Sequence, residues 1–435
     1  MRAVLLPLIS LLCTLWWPAP LAWAGRDLDD GFVGCSYSDD AYAFDLETFD
    51  VGPSIDLLPE GNYPYDAVMS FDGAEVWICG ASGDGVVVID RHTNTVSHRI
   101  PVGEYLVGLC FGQDGSFVLA SSRDEDRIYR ISTETYAVLD FIQLTEQPGN
   151  LALDPVSGRI YAVEWYGERL YEISSDGTAV LRSAPIGGSL WQLVVDPAGQ
   201  FVYVTDRSYD RVHVVDPLTL EMVAAPAVGD DPWGLDVNAD GSRLVCTCED
   251  NSAVYLITFG SWYTYMLPLG STPDPRDVDI LDSRDLAYVC GGDTGSPDLI
   301  FVIDIPGEEI FESFAIPGGS NTNVIAVQPQ MGGGSGGVSN GGPDRLRISL
   351  ATRPNPLTAA GWVRFHLAEA EEIELSLHDL AGRHLATLRD GLHAAGAHRM
   401  PWSWSELEPA LPSGAYWLRL RARGQLTSTR VLKLE

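Results

Sequence analysis

Four aspartates, Asp66, Asp236, Asp277 and Asp279, stand at or just inside the start of apolar segments that recur along the chain. A cluster of oxygen ligands suits a hard cation such as calcium. If those segments converge, these four carboxylates are the expected metal ligands, and a metal there would open a route to lactone hydrolysis. Other chemistry has little to work with. No His-x-His, His-Glu-x-x-His or Cys-x-x-Cys spacing occurs. Between Gly25 and Gln330 the histidines are His92, His98 and His213, and none carries a sequence signal for a partner that would make it a catalytic base.

A second group of residues suits binding. Tyr65, Tyr105, Trp165, Tyr166, Trp191 and Trp233 are interspersed with acids such as Glu104, Asp124, Glu164, Asp231 and Glu249. Rings beside carboxylates suit a cationic ligand, a glycan or a partner protein. Trp191 and Trp233 also read as plain packing residues, because each opens a strand. Trp165 and Tyr166 fall in a loop, where exposure is expected.

What must position these side chains is a repeated unit. From Trp233 to Asp274 the chain shows an apolar segment, an Asp-Gly turn, a second apolar segment, a short polar loop, a third and a weaker fourth. Each runs four to six residues, mostly alternating and rich in Val, Tyr, Ile and Leu, as short antiparallel strands do. The opening residue recurs as Tyr65, Val107, Asn150, Trp191, Trp233, Arg276 and Asn323, at gaps of 42, 43, 41, 42, 43 and 47. The third-strand end (Asp45, Asp90, Ser132, Ser174, Asp216, Thr258, Asp304) and the Asp-Gly or Gly turn keep the same phase. Four strands at this period predict β-propeller blades. The first unit lacks its opening strand and the last is only an opening strand, Asn323–Val327. Joined, they complete a seventh blade and leave no unpaired edge. The prediction is an all-β chain: a seven-bladed β-propeller closed by its two ends, followed by a small C-terminal β-sandwich. The loops after the second strand and those between units are expected on one face of the ring.

The chain has 435 residues and a formal net charge of −33. Residues 25–342 hold 14 arginines against 50 acids, while 343–435 hold 12 basic residues against 10 acids. Such acidity disfavours nucleic acid, which needs neutralising cations. It is compatible with a cationic ligand, a divalent ion or adaptation to salt. Residues 1–24 combine Arg2, an apolar run and Ala22-Trp-Ala24, and read as a secretory signal peptide. Secretion or display at the cell surface is therefore expected, with no membrane-spanning segment further on. Six cysteines follow, and export would permit disulfides. Cys35 to Cys79 is the pair that would tie the first two blades; buried free thiols read equally well.

Residues 331–343 are Gly- and Ser-rich and read as a linker. Residues 344–435 hold seven alternating segments without cysteine, the size of a small sandwich.

Pro64 to Gly103, with Val87-Val-Val-Ile-Asp90 and Thr93-Asn-Thr-Val96, resembles the YVTN repeat family of secreted seven-bladed propellers. Phe201-Val-Tyr-Val-Thr205 fits the same pattern. The resemblance implies the propeller fold and a range of roles, from surface-layer component and binding protein to lactonase-like enzyme. In the tail, Pro354-Asn-Pro356, Leu377-His-Asp-Leu-Ala-Gly382 and Ser413-Gly-Ala-Tyr416 resemble the immunoglobulin-like domains of the flagellar-hook-cap and type IX secretion sorting type. That resemblance implies contact with secretion machinery or the cell envelope; Leu357 departs from the bulky aromatic usual there. Together these features read as an exported, surface-associated binding or structural module, with metal-assisted lactone hydrolysis as the alternative.

Overall fold

The computed structural model describes residues 30–270, 274–292, 298–319, 321–327, 350–353, 360–367, 371–378, 383–393, 396–404, 411–422 and 425–433. The expected signal peptide and linker lie outside these residues.

Residues 30–327 form seven four-stranded antiparallel sheets. In the second blade the strands are Pro64–Met69, Glu75–Gly80, Gly85–Asp90 and Thr95–Pro101, hydrogen-bonded in that order. The innermost strands touch one another in succession, and Thr322–Ala326 touches both Pro64–Met69 and Pro275–Leu281, which makes the series a ring. That strand belongs to the first blade: Phe32 faces Ala326, Val33 faces Ile325 and Gly34 faces Val324. The sheet therefore uses both extremities of the repeat region and covers an edge that would otherwise stand open.

Local chemistry explains the repeat registers. The Asp that ends the third strand caps the following turn: Asp90 Oδ1 accepts the N–H of His92 (2.8 Å) and of Thr93 (3.0 Å), and Asp45 does the same for Glu47 and Thr48. The Asp-Gly turn needs a left-handed second residue, and Gly73, Gly115 and Gly241 have φ of 68°, 69° and 70°. Alternation on the strands then sends one set of side chains into each gap between blades. Trp77, Cys79 and Val88 pack on Leu109, Phe111 and Val118 in one gap, and the other six gaps each hold a comparable cluster. Each Val, Leu or Phe buried there contributes roughly 1.5–3 kcal/mol.

The tail forms a three-stranded sheet (Leu350–Arg353, Ala360–Leu367, Gly396–Ser403) and a four-stranded one (Glu371–His378, His384–His393, Gly414–Ala422, Gln425–Lys433). Leu375, Leu377, Leu418, Leu420 and Trp404 form its core.

Candidate functional site at the channel mouth

The opening residue of every blade sits in a β-bulge. Tyr65 lies between the pairs Pro64–Gly80 and Asp66–Cys79, and Val107 between Leu106–Ser122 and Gly108–Ser121. Trp191 and Gln192 oppose one residue, as do Trp233 and Gly234, and Arg276 and Asp277. The same irregularity holds Asn150 and Asn323. A bulge re-aims a side chain that regular pleating would send elsewhere. Among the opening residues it brings Tyr65, Trp191, Trp233, Arg276 and Asn323 into contact at one mouth of the channel.

Neighbouring blades hold these bulges in place. Thr247 Oγ1 receives the N–H of Gly234 at 2.7 Å and donates to the carbonyl of Arg276 at 2.5 Å. Thr205 links Gln192 to Trp233 in the same manner. A Cβ on Gly234 would stand 2.4 Å from the Arg276 carbonyl oxygen, so only glycine permits this approach.

A second ring surrounds the first. The residue after each second strand donates its N–H to the loop joining two blades. These bonds run from Ala81 to Tyr63, Arg123 to Tyr105, Trp165 to Gln147, Arg207 to Ser189 and Glu249 to Asp231, at 2.8–3.0 Å. The two loop families expected on one face do share it.

The six aromatics singled out in the sequence meet here. Trp165 lies 4.5 Å from Trp191, 5.5 Å from Tyr65 and 6.3 Å from Tyr105, between ring centroids. Trp191 lies 5.0 Å from Tyr166 and 4.4 Å from Trp233. Tyr65 reaches Trp191 at 6.1 Å although they belong to the second and fifth blades. Trp191 is buried and Tyr166 is 53% exposed, so packing and presentation divide between them. Burial pushes the Tyr65 hydroxyl well above its ordinary range, so it stays neutral.

Sequence reasoning missed the arginines. Arg123 lies 3.4 Å above the Tyr105 ring; Arg207 lies 4.7 Å from Trp191 and 4.4 Å from Trp233; Arg276 lies 4.9 Å from Trp233. Arg207 pairs with Asp231 and, at 3.6 Å, with Glu249; Arg276 pairs with Glu249 at 3.0 Å; Arg123 pairs with Asp124 at 2.7 Å. Arg207 also donates to the Tyr166 hydroxyl at 2.9 Å. The signal was available: Arg123 and Arg207 occupy the same place in units two periods apart, the place Trp165 and Glu249 hold in theirs.

The four aspartates expected as cation ligands accept backbone N–H groups of the neighbouring blade. Asp66 Oδ2 accepts the N–H of Leu109 at 2.7 Å, and Asp236 Oδ2 that of Ile280 at 2.7 Å. Asp277 Oδ2 accepts from Ile325 at 2.9 Å and Asp279 Oδ2 from Val327 at 2.6 Å. Each carboxylate thus satisfies a channel-facing N–H of the next blade. Among the described residues no three His, Cys, Asp or Glu side chains gather closely enough to hold a metal. This gives no support to metal-assisted hydrolysis. The aspartates border a channel cavity of about 190 Å³ whose other walls include Met69, Leu151, Val195 and Leu235.

Of the two readings left open for the cysteines, the packing favours buried thiols: all six cysteines of the described residues are buried. Cys35 packs with Tyr288 and Cys290 between the last and first blades, and Cys79 with Trp77 and Val86 between the second and third. The two thiols therefore occupy different gaps.

His213, without a partner in the sequence reading, has one: its Nε2 lies 2.8 Å from Asp206 Oδ2, and both residues are buried. Asp206 Oδ1 accepts the N–H of Ser189 and of Ser208, each at 3.0 Å. This fixes the loop entering Trp191. Burial raises the Asp206 carboxyl, but His213 and the backbone donors outweigh it and hold it below its ordinary range.

No family model and no curated protein matches this chain. Among solved structures it is similar to a functionally unknown protein from Desulfotomaculum acetoxidans, with a TM-score of 0.60 and 16% identity over 69% of this chain and 99% of that one. It is similar to hydrazine synthase of Kuenenia stuttgartiensis, with a TM-score of 0.51 and 17% identity over 57% of this chain and 77% of that one. It is also similar to the β-propeller domain of Myceliophteria thermophila Cps50 (Swd1), with a TM-score of 0.52 and 9% identity over 60% and 89%. At such identities the likeness is one of fold. The sheets and their cyclic contacts give residues 30–327 a β-propeller-like all-β architecture, in line with these neighbours. No helix among the described residues is long and apolar enough to cross a membrane.

Proposed function

We propose that this protein is an exported, surface-associated binding module that takes its ligand at the aromatic mouth. The observation that carries the reading is the convergence of Tyr65, Tyr105, Trp165, Tyr166, Trp191 and Trp233 from five successive blades onto one surface, with exposed rings at its edge. Core packing alone does not require an exposed Tyr166 set edge-on to Trp165, tilted against the buried Trp191 and tied to Arg207. Large planar side chains with a polar handle are what recognition surfaces use. Rigid blades supply the preorganisation that lowers the entropic cost of binding.

In this reading the repeats belong to the YVTN type, and the tail is an immunoglobulin-like sorting or docking domain that brings the propeller to the envelope. The signal peptide would be removed near Ala24. A thermal-shift screen of the full chain against mixed small ligands and glycans tests the binding reading. Compounds that raise the melting temperature of the wild type, and do not raise that of Tyr166→Ala, support it. A set of ligands that stabilise both equally argues for a site elsewhere.

A further inference from the structure

The geometry points to an uncharged, polyhydroxylated chain, a neutral oligosaccharide, as the ligand class of this mouth; the inference rests on the binding reading above. Three observations carry it. The first is the shape of the ring array. Tyr37 and Tyr63 are 6.1 Å apart, Tyr63 and Tyr65 6.4 Å, Tyr65 and Trp165 5.5 Å, and Trp165 and Tyr166 5.3 Å. Tyr105 and Trp191 pack beside this run of contacts, and the outlying Tyr37 and Tyr166 are 54% and 53% exposed. A ring surface that stretches between two exposed tyrosines suits an extended ligand of repeated flat units.

The second is charge. The chain as a whole is strongly acidic, but arginines stand among the rings of the mouth. Arg123, Arg207 and Arg276 each stack on a ring and each pair with a carboxylate, from Asp124, Asp231 and Glu249. Three guanidinium groups and three carboxylates balance. A cationic ligand meets like-charged guanidinium groups set among the rings. An anionic ligand meets arginines already paired, and an acidic surround beyond them. A neutral ligand suffers neither conflict. Sugar rings offer apolar C–H faces to the aromatics and hydroxyls to the guanidinium and carboxylate edges.

The third is backbone strain at the same place. Tyr63, Tyr105 and Tyr166 hold φ of 56°, 52° and 49°, a region that bulky residues adopt at a cost. At the inter-blade position that Tyr63 and Tyr105 hold, other units have Asp231 and Asn321, at φ of 57° and 59°. Asn and Asp enter this region more easily. The side facing the ligand has tyrosine where a cheaper residue would serve the turn.

Isothermal titration of the full chain tests the proposal, with three probes: neutral oligosaccharides of increasing length, an oligouronate, and a quaternary ammonium compound. The expected result is saturable binding of a neutral oligosaccharide that tightens with length and weakens by about tenfold in both Tyr37→Ala and Tyr166→Ala. Both side chains are exposed, and unchanged melting temperatures would confirm that the variants fold. Binding of the oligouronate or the ammonium compound alone, lost in Tyr166→Ala, overturns the ligand class and leaves the mouth as the site. Neutral binding unaffected by both substitutions overturns the proposal and the mouth together, as does binding of none of the three.

Discussion

Asp277 accepts the backbone N–H of Ile325 at 2.9 Å through Oδ2, while its Oδ1 takes the N–H of Val278, also at 2.9 Å. Ile325 lies on the strand that completes the first blade. One side chain therefore ties the seventh blade to the closing strand. Inner strands have a free edge toward the channel, and their N–H groups need acceptors. Asp277→Ala leaves the Ile325 N–H without its acceptor, a loss of about 1–3 kcal/mol. Asp66→Ala does the same to Leu109. Chemical denaturation should show both midpoints falling; midpoints equal to wild type would mean these bonds contribute nothing.

These carboxylates also set a pH dependence. Burial, with the nearby Asp277 charge, pushes Asp66 up to about 8, against the pull of its two N–H donors. Burial pushes Asp277 up to about 7. The folded chain therefore retains protons that the unfolded chain releases near the ordinary value of 3.8. By linkage, their contribution to stability is full below that value and is lost as pH rises through about 7 to 8. Denaturation midpoints should decline across that window, and Asp66→Asn should flatten the decline. A slope identical in wild type and Asp66→Asn would contradict the assignment.

Tyr63 separates fold from function. Asparagine tolerates its left-handed backbone better. Tyr63→Asn should keep the melting temperature within a few degrees of wild type, since relieved strain offsets lost ring contacts with Tyr37 and Tyr65. Ligand affinity should fall. A variant that melts far lower would make Tyr63 a packing residue.

Cysteine reactivity gives a fourth check. Burial raises the thiols of Cys79 and Cys290 well above their ordinary range, which leaves little thiolate. A thiol reagent should label none of Cys35, Cys79, Cys110, Cys246, Cys248 and Cys290 in the native protein and all six after unfolding. An unlabelled pair in the unfolded, unreduced chain would reveal a bridge.

The repeat was legible because strand alternation, Asp-Gly turns and third-strand aspartates are local features with local causes. The pairing of Phe32–Cys35 with the last repeat strand was legible because the end units were complementary. The convergence of Trp165, Trp191 and Tyr65 followed from register, since equal positions in a ring face one axis. The chemistry of Asp66, Asp236, Asp277 and Asp279 was not legible. Their acceptors' partners are backbone N–H groups about one period away, exposed by geometry that no residue type announces. The arginines escaped because the acidic surplus of the chain masked a local balance among Arg207, Asp231, Glu249 and Arg276. The separate placement of Cys35 and Cys79 was not legible, because equal strand positions in neighbouring blades face different gaps.

Hydrogen–deuterium exchange of the full chain, with and without the neutral oligosaccharide it binds most tightly, tests the central claim most directly. Protection should concentrate in the loops carrying Tyr37, Tyr63, Tyr105, Trp165–Tyr166 and Arg207, and leave the outer strands unchanged. Protection confined to the outer strands, the tail or the opposite mouth would contradict it.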